Sequence, residues 1–118
     1  MNIVHAASEL FPFMKTGGLA DAVGGLTKAL AMAGHEVAVF LPGYRAALEH
    51  PEAETVERVH RLQIEMGGRY LHADLLRLRV SAGFTVYFVK RDEFFDRSGA
   101  YGTGDRDYDD NAERFIFF

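Results

Sequence analysis

The chain has 118 residues, enough for one modest domain with its own core, and its 48% apolar and 25% charged residues exclude a disordered chain. A formal net charge of −4 leaves no basic surplus to neutralise a phosphate backbone, which excludes nucleic acid as the main partner. Cysteine is absent, which excludes disulfides and thiolate metal sites and fits a reducing cytoplasm, and no segment reaches the ~20 apolar residues of a membrane helix.

The opening residues, MNIVHAASEL, have no basic n-region and no long apolar run, so they read as mature protein and not as a signal peptide. Residues 2–7 form a short buried strand. Residues 8–18 form a loop with Pro12 and the pair Gly17-Gly18. A helix is predicted from about residue 19 to 33, with Leu19, Val23, Leu26, Leu30 and Ala33 on one apolar face and Gly34 as its stop. Gly24-Gly25 falls inside it, where glycine suits close packing against a neighbour at about 1 kcal/mol of helix propensity each. Residues 36–41 are a second near-continuous apolar strand closed by Pro42-Gly43. Strand, helix and strand over this length make a βαβ unit with parallel strands.

The middle of the chain follows a different period. In residues 61–66, Leu62, Ile64 and Met66 alternate with Gln63 and Glu65, and in 75–80, Leu76, Leu78 and Val80 alternate with Arg77 and Arg79. Around Gly67-Gly68 this pattern predicts a hairpin-like pair with one wet face, on which Arg77 and Arg79 are solvated. Residues 84–90 are again a buried strand, and 92–97 a helical turn. Residues 99–110 form a Gly/Asp-rich loop, after which Asp109 or Asp110 is placed to cap a final helix. The last residues, NAERFIFF, leave Phe115, Ile116, Phe117 and Phe118 bare, so the chain reads as a fragment. The expected fold class is α/β, a Rossmann-like doubly wound sheet, mainly parallel with a hairpin-like insertion.

The chemistry is concentrated at the junction KTGGLAD. A helix start leaves backbone N–H groups unpaired and carries about half a positive charge. Gly17 and Gly18 let a ligand's phosphates approach that backbone, and Lys15 adds a full charge. The same residues also fit a plain turn with a solubilising lysine, and both readings stand on the residues alone. Neither G-x-G-x-x-G nor G-x-x-x-x-G-K-[ST] is met. His5 reads as a satisfied core residue, and His35, His50, His60 and His72 lack ligand spacing, so no metal site is expected. The Asp-rich run at 105–110 lacks the Gly and Glu of an EF-hand loop.

HAASELFPFMKTGGLADAVGGLTKALAMAGHEVAVFLPGY resembles the opening of bacterial glycogen synthases and plant starch synthases. VYFVKRDEFFDRSGAYGTGDRDYDDNAERFIFF resembles the same family's strand, F-x-R-x-G-x-Y-G loop and D-N-x-x-R-F helix. The two regions bracket the chain in the right order, and the intervening 44–83 is compatible. The resemblance implies the incomplete N-terminal, acceptor-side domain of a two-domain GT-B glycosyltransferase. Such an enzyme moves glucose from ADP-glucose to the non-reducing end of an α-1,4-glucan, with retention and without a cofactor or metal. It implies that Lys15, Thr16, Gly17 and Gly18 meet the donor diphosphate, with Thr16 mainly shaping the loop. It places Glu9, Asp21, Tyr101 and Asn111 in the cleft: Glu9 to orient acceptor hydroxyls or as a solvated carboxylate, Asp21 as a loop brace or sugar contact. Tyr101 is implied as a ring for stacking on sugar or base, or as a loop anchor. Asp110, Asn111 and Arg114 are implied chiefly as cap and brace, and no catalytic residue is assigned within these residues. The other readings are a stand-alone anion or sugar-phosphate module, or another GT-B enzyme.

Overall fold

The computed structural model describes residues 1–118. One five-stranded sheet organises the chain: β1 (Asn2–Ala6), β2 (Glu36–Pro42), β3 (Glu57–Met66), β4 (Arg69–Ser81) and β5 (Phe84–Lys90), in the order β1-β2-β5-β4-β3. β1, β2 and β5 pair in parallel, while β4 is antiparallel to both β5 and β3. Four of the five strands therefore point the same way and β4 alone opposes them. This is the expected α/β class, with a hairpin inserted in sequence between β2 and β5 and lying at the sheet edge, whereas β1 is an exposed edge strand and not the buried one expected. The reason lies in the centre. Val37, Val39 and Leu41 on β2 and Phe84, Val86 and Phe88 on β5 are buried by alternation. On the opposite face of the same strands Phe40 stacks on Tyr87 at 5.0 Å.

The crossover helix α1 (Gly18–Met32) ends as its sequence dictates. Gly34 takes φ 92°, its N–H reaches Ala31 O at 3.0 Å, and His35 N–H reaches Leu30 O at 3.1 Å. That pair of bonds is a Schellman closure, which needs the left-handed residue. The buried face of α1 corrects the sequence expectation. Ala20, Gly24 and Thr27 are buried, while Leu19 and Leu26 are 46% and 53% exposed. Val23 and Ala31 touch the core from the side. Two stripes had helical spacing, and the small one won because the helix lies against the loop before it. Phe11 N–H donates to Ala20 O at 3.2 Å, and a Cβ at Gly24 would sit 3.6 Å from Phe11 O. Gly25 faces open space, so the packing role expected for the glycine pair belongs to Gly24 alone.

β3 and β4 are longer than their alternating segments because Glu57–His60 carries no buried residue to mark it. Gly67 and Gly68, with φ of 60° and 75°, make the two-residue turn between them. Arg77 and Arg79 are exposed as expected, Arg77 being paired with Glu57.

After β5 come α3 (Asp92–Phe95), a small hairpin of β6 (Gly102–Thr103) and β7 (Arg106–Asp107), and α4 (Asn111–Phe117). The short helix α2 (Arg45–Leu48) follows β2. Leu10, Phe13, Tyr44, Phe94 and Phe95 in these connections are all buried, each apolar side chain of that size contributing about 1.5–3 kcal/mol. The core thus continues into the loops at the carboxyl ends of the strands and makes them rigid. The C-terminal aromatics correct the expectation of a bare cluster. Phe117 packs on Phe94 at 5.3 Å and Phe115 on Tyr101 at 5.7 Å, and only Ile116 is strongly exposed. No helix is long and apolar enough to cross a membrane.

Candidate functional site

The site lies beyond the carboxyl end of β1, where parallel α/β sheets present their ligands. Glu9 is its centre. Its side chain is carried on the segment leaving β1, and the residue is only 4% exposed. One oxygen accepts from Thr16 N–H at 2.6 Å and Gly17 N–H at 3.3 Å. The other accepts from Thr16 Oγ1 at 2.8 Å and Tyr101 Oη at 2.8 Å. Burial works to raise the Glu9 pKa, but the donors from Thr16, Tyr101 and Gly17 together outweigh it and hold the carboxyl below its ordinary value. Glu9 is therefore not a solvated loop carboxylate. Four donors on its two oxygens make it a brace for the loop.

That brace shapes the KTGG turn. Thr16 is fixed through both its amide and its hydroxyl. Gly17 is extended at φ −163°, ψ −155° and has no side chain to cap α1. Its N–H is given to Glu9 at 3.3 Å. The amides remaining for a ligand begin with Gly18, the first residue of α1. A Cβ on Gly17 or Gly18 would meet nothing within 4 Å, and neither has a positive φ. Lys15 has a partner in Asp21. Its Nζ lies 2.6 Å from Asp21 Oδ2, with the two side chains 46% and 55% exposed. Asp21 thus holds Lys15 from the first turn of α1, and an exposed pair of this kind is worth at most about 1 kcal/mol.

Tyr101 and Asn111 arrive from the other end of the sequence. They share an open hollow of about 580 Å³ with Ala6, Ala7, Ser8 and Phe115. Asn111 Nδ2 donates to Tyr101 O at 2.8 Å, and its Oδ1 accepts from Arg114 at 2.7 Å. Arg114 is fully buried, donates also to Phe94 O and Ala100 O, and lies 4.9 Å from the Tyr108 ring centroid. Asp110 does not cap α4. Its carboxylate makes a bidentate clamp on Arg97, with both bonds at 2.7 Å. His5 bonds Thr27 Oγ1 at 3.3 Å and ties β1 to α1.

Glu9, Thr16, Gly17, Tyr101 and Asn111 thus form one connected group, while Lys15 and Asp21 pair separately at the head of α1. Sequence reasoning passed over Ser8, Arg97 and Tyr44. Ser8 Oγ lies 2.8 Å from Tyr101 Oη, and Tyr44, 1% exposed, donates to Ser8 O at 2.9 Å. Arg97 was signalled by its place in F-x-R-x-G. Tyr44 had no signal beyond following Pro42-Gly43.

A mixed, mainly parallel sheet whose first strand leads through a braced glycine turn into a helix defines an α/β protein. The starch synthase catalytic domain matches residues 2–118, and the chain belongs to that family. It is 58% identical over its whole length to a glycogen synthase of Opitutus terrae and 42% identical to one of Syntrophotalea carbinolica. It spans about a quarter of the length of these curated relatives, 25% and 24%. Among solved structures it resembles the catalytic domain of starch synthase IV from Arabidopsis thaliana, bound to ADP and acarbose. The TM-score is 0.81 at 30% identity, covering 96% of this chain and 22% of that one.

Proposed function

We propose that the chain is the acceptor-side part of the N-terminal domain of a GT-B glucosyltransferase of the glycogen synthase type. In this reading the full protein transfers glucose from ADP-glucose to the non-reducing end of an α-1,4-glucan with retention, in the cytoplasm. The other half of the cleft, with most donor contacts, is supplied by residues outside this chain.

One observation carries the reading. Gly17 and Gly18 are needed neither for backbone conformation nor for packing, yet they stand beside an exposed lysine at a helix start. Space without internal use, next to positive charge, suits a phosphate. When the bond from glucose C1 to the donor oxygen breaks, negative charge collects on the departing diphosphate. Lys15 exchanges its weak pair with Asp21 for that charge, and the amides at the start of α1 add their dipole. These groups supply the stabilisation without calling on a metal. The relatives' names and the ADP and acarbose in the Arabidopsis structure support the same substrates.

The test is glucose transfer by the full-length protein from ADP-glucose to glycogen, with UDP-glucose in parallel. ADP release coupled to lengthened α-1,4 chains is expected. Absence of transfer from either donor would overturn the proposal.

A further inference from the structure

The turn that carries Lys15 is held by a residue far away in sequence. Tyr101 Oη donates to Glu9 Oε2 at 2.8 Å, across 92 positions. A phenol has one proton, so with that proton on the carboxylate the 2.8 Å contact to Ser8 is a bond donated by Ser8 Oγ. The Tyr101 hydroxyl is thereby fully engaged inside the protein. Its ring leans on Phe115 at 5.7 Å. Its carbonyl is held by Asn111, which is held by the buried Arg114. A continuous series of bonds therefore runs from α4 through Tyr101 and Glu9 to the Thr16 and Gly17 amides.

Without the phenol, the buried Glu9 would keep three donors, all from the turn it braces, and lose the only one from outside that loop. Carboxylate orientation would then be set by the turn alone, and the turn by the carboxylate. The Tyr101 bond breaks that circularity, because Asn111 and Phe115 of α4 fix the tyrosine independently.

We propose that Tyr101 is a positioning residue that acts through its hydroxyl: by fixing Glu9 it sets the geometry of the KTGG turn and hence of Lys15. The inference rests on the glucosyltransferase reading above. It differs from a role for the Tyr101 ring against sugar or base, which would need the aromatic face and not the oxygen.

The test uses the full-length enzyme and the variants Tyr101→Phe, Glu9→Gln and the double variant. Tyr101→Phe is expected to lower kcat about tenfold to a hundredfold, since small misplacement of a catalytic group is enough for that. The glucan KM should stay within about twofold. Hydrogen exchange should rise in the peptide containing Thr16 and Gly17 and stay unchanged in the β3–β4 hairpin. The double variant should be no slower than Glu9→Gln, because both changes break the same connection. Wild-type kcat in Tyr101→Phe, a loss confined to glucan KM, or additive losses in the double variant would overturn the inference. Should the wild-type protein transfer no glucose, the reaction reading fails, while the exchange measurement still decides whether Tyr101 holds the turn.

Discussion

Two glycine pairs in this molecule do opposite work. In the first loop, Cβ atoms on Gly17 and Gly18 would meet nothing within 4 Å. In the loop after β5, a Cβ on Gly99 would lie 2.1 Å from Gly102 O, and one on Gly102 would lie 2.1 Å from Arg106 O. The second pair is glycine because the backbone folds onto itself there. The first pair is glycine although nothing in the chain demands it. Both belong to motifs that resemble the same family, yet one motif is a structural knot and the other an open edge. The same residue type in a motif is therefore not one signal, and the space around the missing Cβ decides which it is.

The largest effect should come from closing the knot. Gly99→Ala or Gly102→Ala should destabilise the protein by about 3 kcal/mol or more, because main chain must move to admit the methyl. Gly17→Ala and Gly18→Ala should leave stability within about 0.5 kcal/mol and still impair transfer by the full-length enzyme. Urea titration of the four variants checks this, and equal losses at all four would erase the contrast. Next, Lys15→Ala should lower turnover of the full-length enzyme by about 10²–10³-fold, the scale of removing one charge-stabilising donor. Its thermal midpoint should barely shift, because the pair it breaks is exposed. Near-normal turnover would remove the lysine from the chemistry.

A subtler separation is by pH. Glu9 is held low by its donors against the raising effect of burial, and Asp110 is held low chiefly by its bonds from Arg97. Groups whose pKa is depressed on folding bind fewer protons in the native state than in the unfolded one. Their stabilisation is complete above the ordinary carboxylate range, near pH 4–5, and is lost as pH falls through the depressed values. Urea midpoints measured downward from pH 6 should therefore fall, and Glu9→Gln should flatten part of that fall. The smallest effect concerns a third glycine. Gly25 lies inside α1 and faces open space, so Gly25→Ala should stabilise by about 0.5–1 kcal/mol, read from the same titration.

Much of the architecture was legible because period and punctuation agreed. The span 84–90 is the strand β5, and Gly34 and Gly67-Gly68 stop and turn the chain where their φ values require glycine. The buried face of α1 was not legible. Leucines outweigh alanine and glycine in any hydrophobic pattern, and only the close approach of Phe11 reverses the choice. The site was half legible. KTGGLAD pointed to the turn, but Tyr101, which shapes it, meets Ser8 and Glu9 only in three dimensions. Asp110 misled as a cap because its competing partner, Arg97, lies 13 positions upstream.

The strand order has a directional consequence. At one flank β3 presents Arg58, His60, Arg61 and Glu65 to water, and any newcomer there would have to strip hydration from those charges. At the other flank β1 carries Asn2 and Val4, the latter 65% uncovered, with no Lys, Arg, Asp or Glu within the strand to deter an added segment. The sheet is thus a ribbon with one selvedge guarded by charge and one left without that guard.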